Sequence, residues 1–129
     1  MDTMSVNVAT LRPGACVADA RESTRNFLDR LVPVVAAEAA DTVLLVVSEL
    51  LTNGLRHGGG ACTLHLTAHR DSIEVAVGDR SPHMPRMRTP DLSGATGGFG
   101  WPMVNRLARA TAVTRLTSGG KTVSAFLDR

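Results

Sequence analysis

Glu49 and Asn53 place a carboxylate and a carboxamide four residues apart, inside the run SELLTNGLRHG at residues 48–58. In a helix that spacing sets both side chains on one face. A carboxylate can orient or deprotonate a nucleophile, and a carboxamide oxygen is a hard ligand suited to magnesium. The plainer reading is an exposed polar face, which every amphipathic helix has. Asparagine and glycine are poor helix formers, however, so Asn53-Gly54 within an apolar helix costs stability. A metal-and-phosphate site on the open face would offset that cost. Asp79 adds a second group, directly after Val75-Ala76-Val77-Gly78. A carboxylate at a strand end can accept a hydrogen bond from a ligand amine in a cleft, although Asp is also a common turn residue. The third group is GGFGWP at residues 97–102. Glycines that open a helix let backbone N–H groups approach phosphate oxygens, and the helix dipole favours the charge. A hinge at the end of a loop is the alternative.

These groups need elements to hold them. Residues 5–11 alternate weakly and suggest an edge strand before a Pro13-Gly14 turn. Val17, Ala20, Phe27, Leu28 and Leu31 share one face of a helix over 17–31, which Pro33 ends. A second helix runs from residue 34 or 36 to 57, burying Val43, Leu44, Val47, Leu50, Leu51 and Leu55 and leaving Glu49, Asn53 and Arg56 opposite. Gly58-Gly59-Gly60 stops it. Two alternating strands follow, with Cys62, Leu64, Leu66 and Ala68 on one face of the first and Ile73, Val75 and Val77 on one face of the second. Residues 80–97 form a loop with three prolines, long enough to serve as a lid. Pro102 opens a short helix to about residue 110, and a hairpin joins 112–117 to 122–127. The order predicts one α+β domain over residues 1–129, a two-layer sandwich with helices on one face of a mostly antiparallel sheet.

Composition excludes several classes. The net charge is only +2, from 14 basic and 12 acidic residues without clustering, which argues against a dedicated nucleic-acid binder. No apolar run reaches membrane-spanning length, and the N-terminus lacks a secretory layout. Cys16 and Cys62 sit in apolar patterns and read as buried thiols of a reducing cytoplasm. A zinc site from Cys62, His65 and His69 is disfavoured, because a strand sends Cys62 to the face opposite both histidines.

Taken in order, the three groups resemble the histidine-kinase-like (Bergerat-fold) ATPases. Residues 49–57 look like the N-box, Asp79 falls in the first glycine box, and Gly98-Phe99-Gly100 is similar to the second. Within that superfamily the chain most resembles the anti-sigma regulatory factors with serine/threonine kinase activity and their stand-alone actinobacterial relatives. The likeness runs from the first helix to the last hairpin, including Gly119-Gly120-Lys121-Thr122. It implies ATP and Mg2+ as cofactors, with Asn53 as magnesium ligand and Glu49 as the catalytic residue that activates the attacking hydroxyl or water. It implies further that Asp79 binds the adenine amino group, that Gly98, Phe99 and Gly100 shape the phosphate loop, and that Thr122 lies near the adenine. Arg56 and His57 would flank the site. Ser81 stands where the first glycine box carries glycine, which implies weakened adenine affinity. The implied function is transfer of phosphate from Mg-ATP to a serine or threonine of an anti-sigma factor antagonist, sequestration of a sigma factor, or both. Arg21 and Arg25 are the candidate partner contacts, against a plain solvated face, and homodimers are common in the family. A binding module that uses ATP only to choose partners, or no nucleotide at all, is the competing class.

Overall fold

The computed structural model describes residues 2–9, 13–57, 61–79, 100–117 and 119–129. Its elements are β1 (Asp2–Ala9), α1 (Pro13–Asp29), α2 (Ala37–His57), β2 (Ala61–Ala68), β3 (Ser72–Asp79), α3 (Gly100–Leu107), β4 (Ala110–Arg115) and β5 (Lys121–Asp128). The five strands form one sheet in the order β1-β2-β3-β5-β4, and every neighbouring pair is antiparallel. The α+β sandwich read from the sequence is the observed architecture. The element from 80 to 97 lies outside the described residues.

Strand parity decides which side chains meet the helices. Leu64, Leu66, Ile73, Val75, Val77, Val123, Ala125 and Leu127 are buried on one sheet face against Val43, Val46, Val47, Leu50 and Leu51 of α2. Each Val, Leu or Ile among them contributes about 1.5–3 kcal/mol when fully removed from water. The opposite sheet face carries the exposed His65 and the half-buried Thr63, Thr67, Glu74, Thr122, Ser124 and Phe126. The helix α2 touches β2, β3, β5 and both other helices, so it is the central element of the layer.

Several boundaries shift: β1 spans Asp2–Ala9 and not 5–11, α3 ends at Leu107 and not near residue 110, and β4 covers Ala110–Arg115 and not 112–117. Helix α1 begins at Pro13, not after a Pro13-Gly14 turn. Proline is tolerated in a first helical turn, where its missing N–H has no intrahelical partner in any case. For the same reason α3 opens at Gly100 with Pro102 inside its first turn. One polar residue, Thr24, is fully buried on the apolar face of α1, where its hydroxyl donates to the Ala20 carbonyl at 2.7 Å. That bond satisfies the hydroxyl internally and lets the residue sit in the core. The C-terminal Arg129 ties loops together, its guanidinium donating to the His69 carbonyl at 3.0 Å and the Pro33 carbonyl at 2.9 Å.

Candidate functional site

Glu49 and Asn53 stand one turn apart on α2, both half-buried. The first residue of α3 comes directly against them. A methyl group at Gly100 would lie 2.6 Å from a Glu49 carboxylate oxygen and 3.3 Å from the Asn53 amide nitrogen. A side chain here would push the Glu49 carboxylate aside, so glycine leaves that group in place against the helix start. The arrangement also sets a negative charge beside the N-terminus of an eight-residue helix, the favourable end of its dipole.

Asn53 is followed by Gly54, whose role is close packing. A methyl group there would meet the Cys62 sulfur at 2.5 Å, a Val77 methyl at 3.4 Å and an Asp79 carboxylate oxygen at 3.8 Å. The helical cost of Gly54, attributed from sequence to a metal-and-phosphate site, is thus accounted for by the approach of β2 and β3 to α2. That approach brings Asp79 beneath the turn that carries Asn53. Glu49, Asn53 and Gly100 thus meet directly, with Asp79 under the adjoining Gly54, although the four residues are spread over 52 positions of the chain.

Asp79 ends β3 on the helix-facing side, with 8% of its surface exposed. Its Oδ1 accepts a hydrogen bond from the Lys121 ammonium at 2.9 Å, and Lys121 is itself only 5% exposed. Cys62, Asp79 and Lys121 are register partners across β2, β3 and β5, so their side chains share one rung and one face. The Cys62 thiol is pushed up from 9.0 to about 11, first by burial, then by the Asp79 carboxylate, with Lys121 opposing. It stays protonated at neutral pH and is no nucleophile.

Lys121 is the residue that sequence reasoning missed, and the parity of β5 was the available signal. Val123, Ala125 and Leu127 face the helices, so Lys121 must face them as well. Thr122 then points the other way. It is paired in register with Gly78, and its hydroxyl lies 3.8 Å from where a Gly78 methyl would be. The structure therefore does not bring Thr122 to the cluster; alternation along the strand places it on the outer face. Arg56 and His57 belong to the last turn of α2, and their side chains lie outside the described residues, as do Ser81, Gly98 and Phe99. Arg21 and Arg25 are exposed on α1 and line an open groove of about 400 Å³ with Val17, Ala18 and Glu22. Cys62 is buried on the helix side while His65 is exposed on the other. Among the described residues no group of three or more His, Cys, Asp or Glu is placed to hold a metal.

The family model for the histidine kinase-like ATPase domain matches residues 10–126. The chain belongs to this family. Among solved structures, the histidine kinase domain of the blue-light activated histidine kinase from Erythrobacter litoralis shares the fold, with a TM-score of 0.53 and 20% identity. The match covers 89% of this chain and 60% of that domain. No curated protein matches the sequence. Membership in the histidine kinase-like ATPase family implies ATP binding, and the residues present fit a nucleotide. The first-turn N–H groups of a helix have no intrahelical partners and favour anions. In α3 those groups open at Gly100, beside a carboxamide able to ligate magnesium and within reach of Glu49. Among the described residues no helix is long and apolar enough to cross a membrane.

Proposed function

We propose that this histidine kinase-like ATPase domain is a cytoplasmic regulatory protein of the anti-sigma serine/threonine kinase type. It passes a phosphoryl group from Mg-ATP to a hydroxyl of an antagonist protein, sequesters a sigma factor, or does both. The observation that carries the reading is the meeting of Glu49, Asn53 and Gly100 at the start of α3, with Asp79 beneath the same helix. Bound Mg-ATP would supply the activated phosphoryl group. Asn53 would hold magnesium through its carboxamide, and Glu49 would orient and deprotonate the acceptor hydroxyl. The N-terminus of α3, with Gly98, Phe99 and Gly100, would bear phosphate charge. Such transfer depends mainly on positioning and charge neutralisation. Asp79 accepts from the adenine amino group, and Arg21 and Arg25 on the exposed face of α1 contact the protein partner.

The competing reading is a binding module that uses ATP to choose partners without turning it over. Calorimetric titration of ATP with and without magnesium, on wild type, Asn53→Ala and Asp79→Asn, tests the common ground. Magnesium-dependent binding lost in both variants supports the site. Absence of binding at millimolar ATP overturns both readings. Radiolabel transfer from γ-labelled ATP to a serine of a co-purified partner, abolished by Glu49→Gln, separates the kinase from the module.

A further inference from the structure

The buried pair of Asp79 and Lys121 is an unusual choice for this place in the sheet. The next rung on the helix-facing side of the same two strands is Val77 opposite Val123, both buried. An apolar pair is the cheaper solution, because an internal ion pair seldom recovers its desolvation cost against well-packed hydrophobic residues. The charges sit on the rung where β3 ends and β5 begins, on the helix-facing side, next to the turn of α2 that carries Asn53. A cost accepted at that rung and not at the next one asks for a chemical reason.

Donor and acceptor chemistry supplies one. A carboxylate only accepts hydrogen bonds and an ammonium only donates them. Held 2.9 Å apart on one face, the two groups offer an acceptor and a cationic donor side by side. Adenine presents the complement on its Watson–Crick edge, an amino donor on the carbon adjoining the acceptor ring nitrogen N1. We propose that Lys121 is a specificity-determining residue of the nucleotide site, donating to N1 of the purine while Asp79 accepts from the adjacent amino group. The inference rests on the nucleotide reading above and extends it. A lone carboxylate reads one position of the base, and the pair reads two. The ammonium also neutralises the carboxylate, so the base meets a site of no net charge.

The test compares ATP with 1-deaza-ATP, which lacks the N1 acceptor, by calorimetry on wild type and Lys121→Met. Wild type is expected to bind 1-deaza-ATP about 10- to 100-fold more weakly than ATP, the range for one hydrogen bond to a charged group. In Lys121→Met the two nucleotides should bind alike. Lys121→Arg, which keeps the charge and the donor, should retain part of the discrimination, with circular dichroism reporting whether each variant is folded. Wild type that binds ATP and 1-deaza-ATP equally overturns this inference alone, whatever becomes of the variants. Tighter ATP binding by Lys121→Met also overturns it, because Lys121 would then be competing with the base for Asp79. Absence of ATP binding by wild type overturns the nucleotide reading and this inference together.

Discussion

Removing the ammonium of Lys121 should damage this fold more than removing almost any other charge in it. Its nitrogen lies 2.9 Å from Asp79, and the side chains are only 6% and 3% exposed. At an effective dielectric of about 20, charges that close attract by about 6 kcal/mol. Burial costs each ion several kcal/mol, so the pair as a whole is near neutral against an apolar replacement. The single variant is different. Lys121→Met leaves the Asp79 carboxylate buried without its cation, and the expected loss is about 3–5 kcal/mol of unfolding free energy. The double variant Asp79→Val/Lys121→Met copies the apolar rung above it, Val77 opposite Val123. It should recover most of that loss. Urea denaturation of wild type, both single variants and the double variant gives the coupling energy directly. A cost below about 1 kcal/mol for Lys121→Met, with an unchanged urea slope, would refute the reasoning, since that is the behaviour of a solvated surface pair.

Other perturbations separate packing from site. Gly54→Ala should cost about 1–3 kcal/mol through overpacking, because its methyl would collide with the Cys62 sulfur; thermal melts should show rescue by Cys62→Ala in the double variant. Gly100→Ala meets the mobile end of Glu49 and not a packed core, so its melting temperature should change little while magnesium-dependent ATP binding falls in calorimetry. Thr122→Val should leave ATP affinity unchanged, because this hydroxyl stands on the outer sheet face beside Gly78; a marked loss of affinity would show that the outer face contributes to the site. The Cys62 thiol, raised from 9.0 to about 11, keeps its proton in the folded state where the unfolded chain releases it. Its stabilising contribution is therefore full below pH 9.0 and is lost as the pH rises towards about 11. The loss amounts to about 2–3 kcal/mol, and urea midpoints of Cys62→Ala measured across that window should decline less steeply.

Much of the layout is dictated by local pattern. The apolar stripe Val43, Leu44, Val47, Leu50, Leu51 and Leu55 is buried as its helical spacing requires. The alternation in β2 and β3 places Leu64, Leu66, Ile73, Val75 and Val77 in the core as strand parity requires. The four-residue spacing of Glu49 and Asn53 already sets both on one side of α2, because side-chain direction in a helix is a property of the helix itself. Helix starts were less legible. Pro13 and Gly100 lie inside their helices, since proline and glycine mark turns and first helical turns alike.

What the sequence alone determined is the set of elements, their buried faces and which polar groups stand together on α2 and at the end of β3. Each of these follows from a period that the backbone imposes locally. What only the tertiary structure decided is which distant residues meet. Gly100 against Glu49 and Gly54 against Cys62 depend on how α3 and β2 pack on α2, and Lys121 opposite Asp79 depends on the β3–β5 pairing, which skips β4 and joins residues 42 positions apart. Such a pairing is selected by the whole core at once, because shifting β5 by one residue would turn Val123, Ala125 and Leu127 out of it. The same register turns Lys121 inward and Thr122 outward.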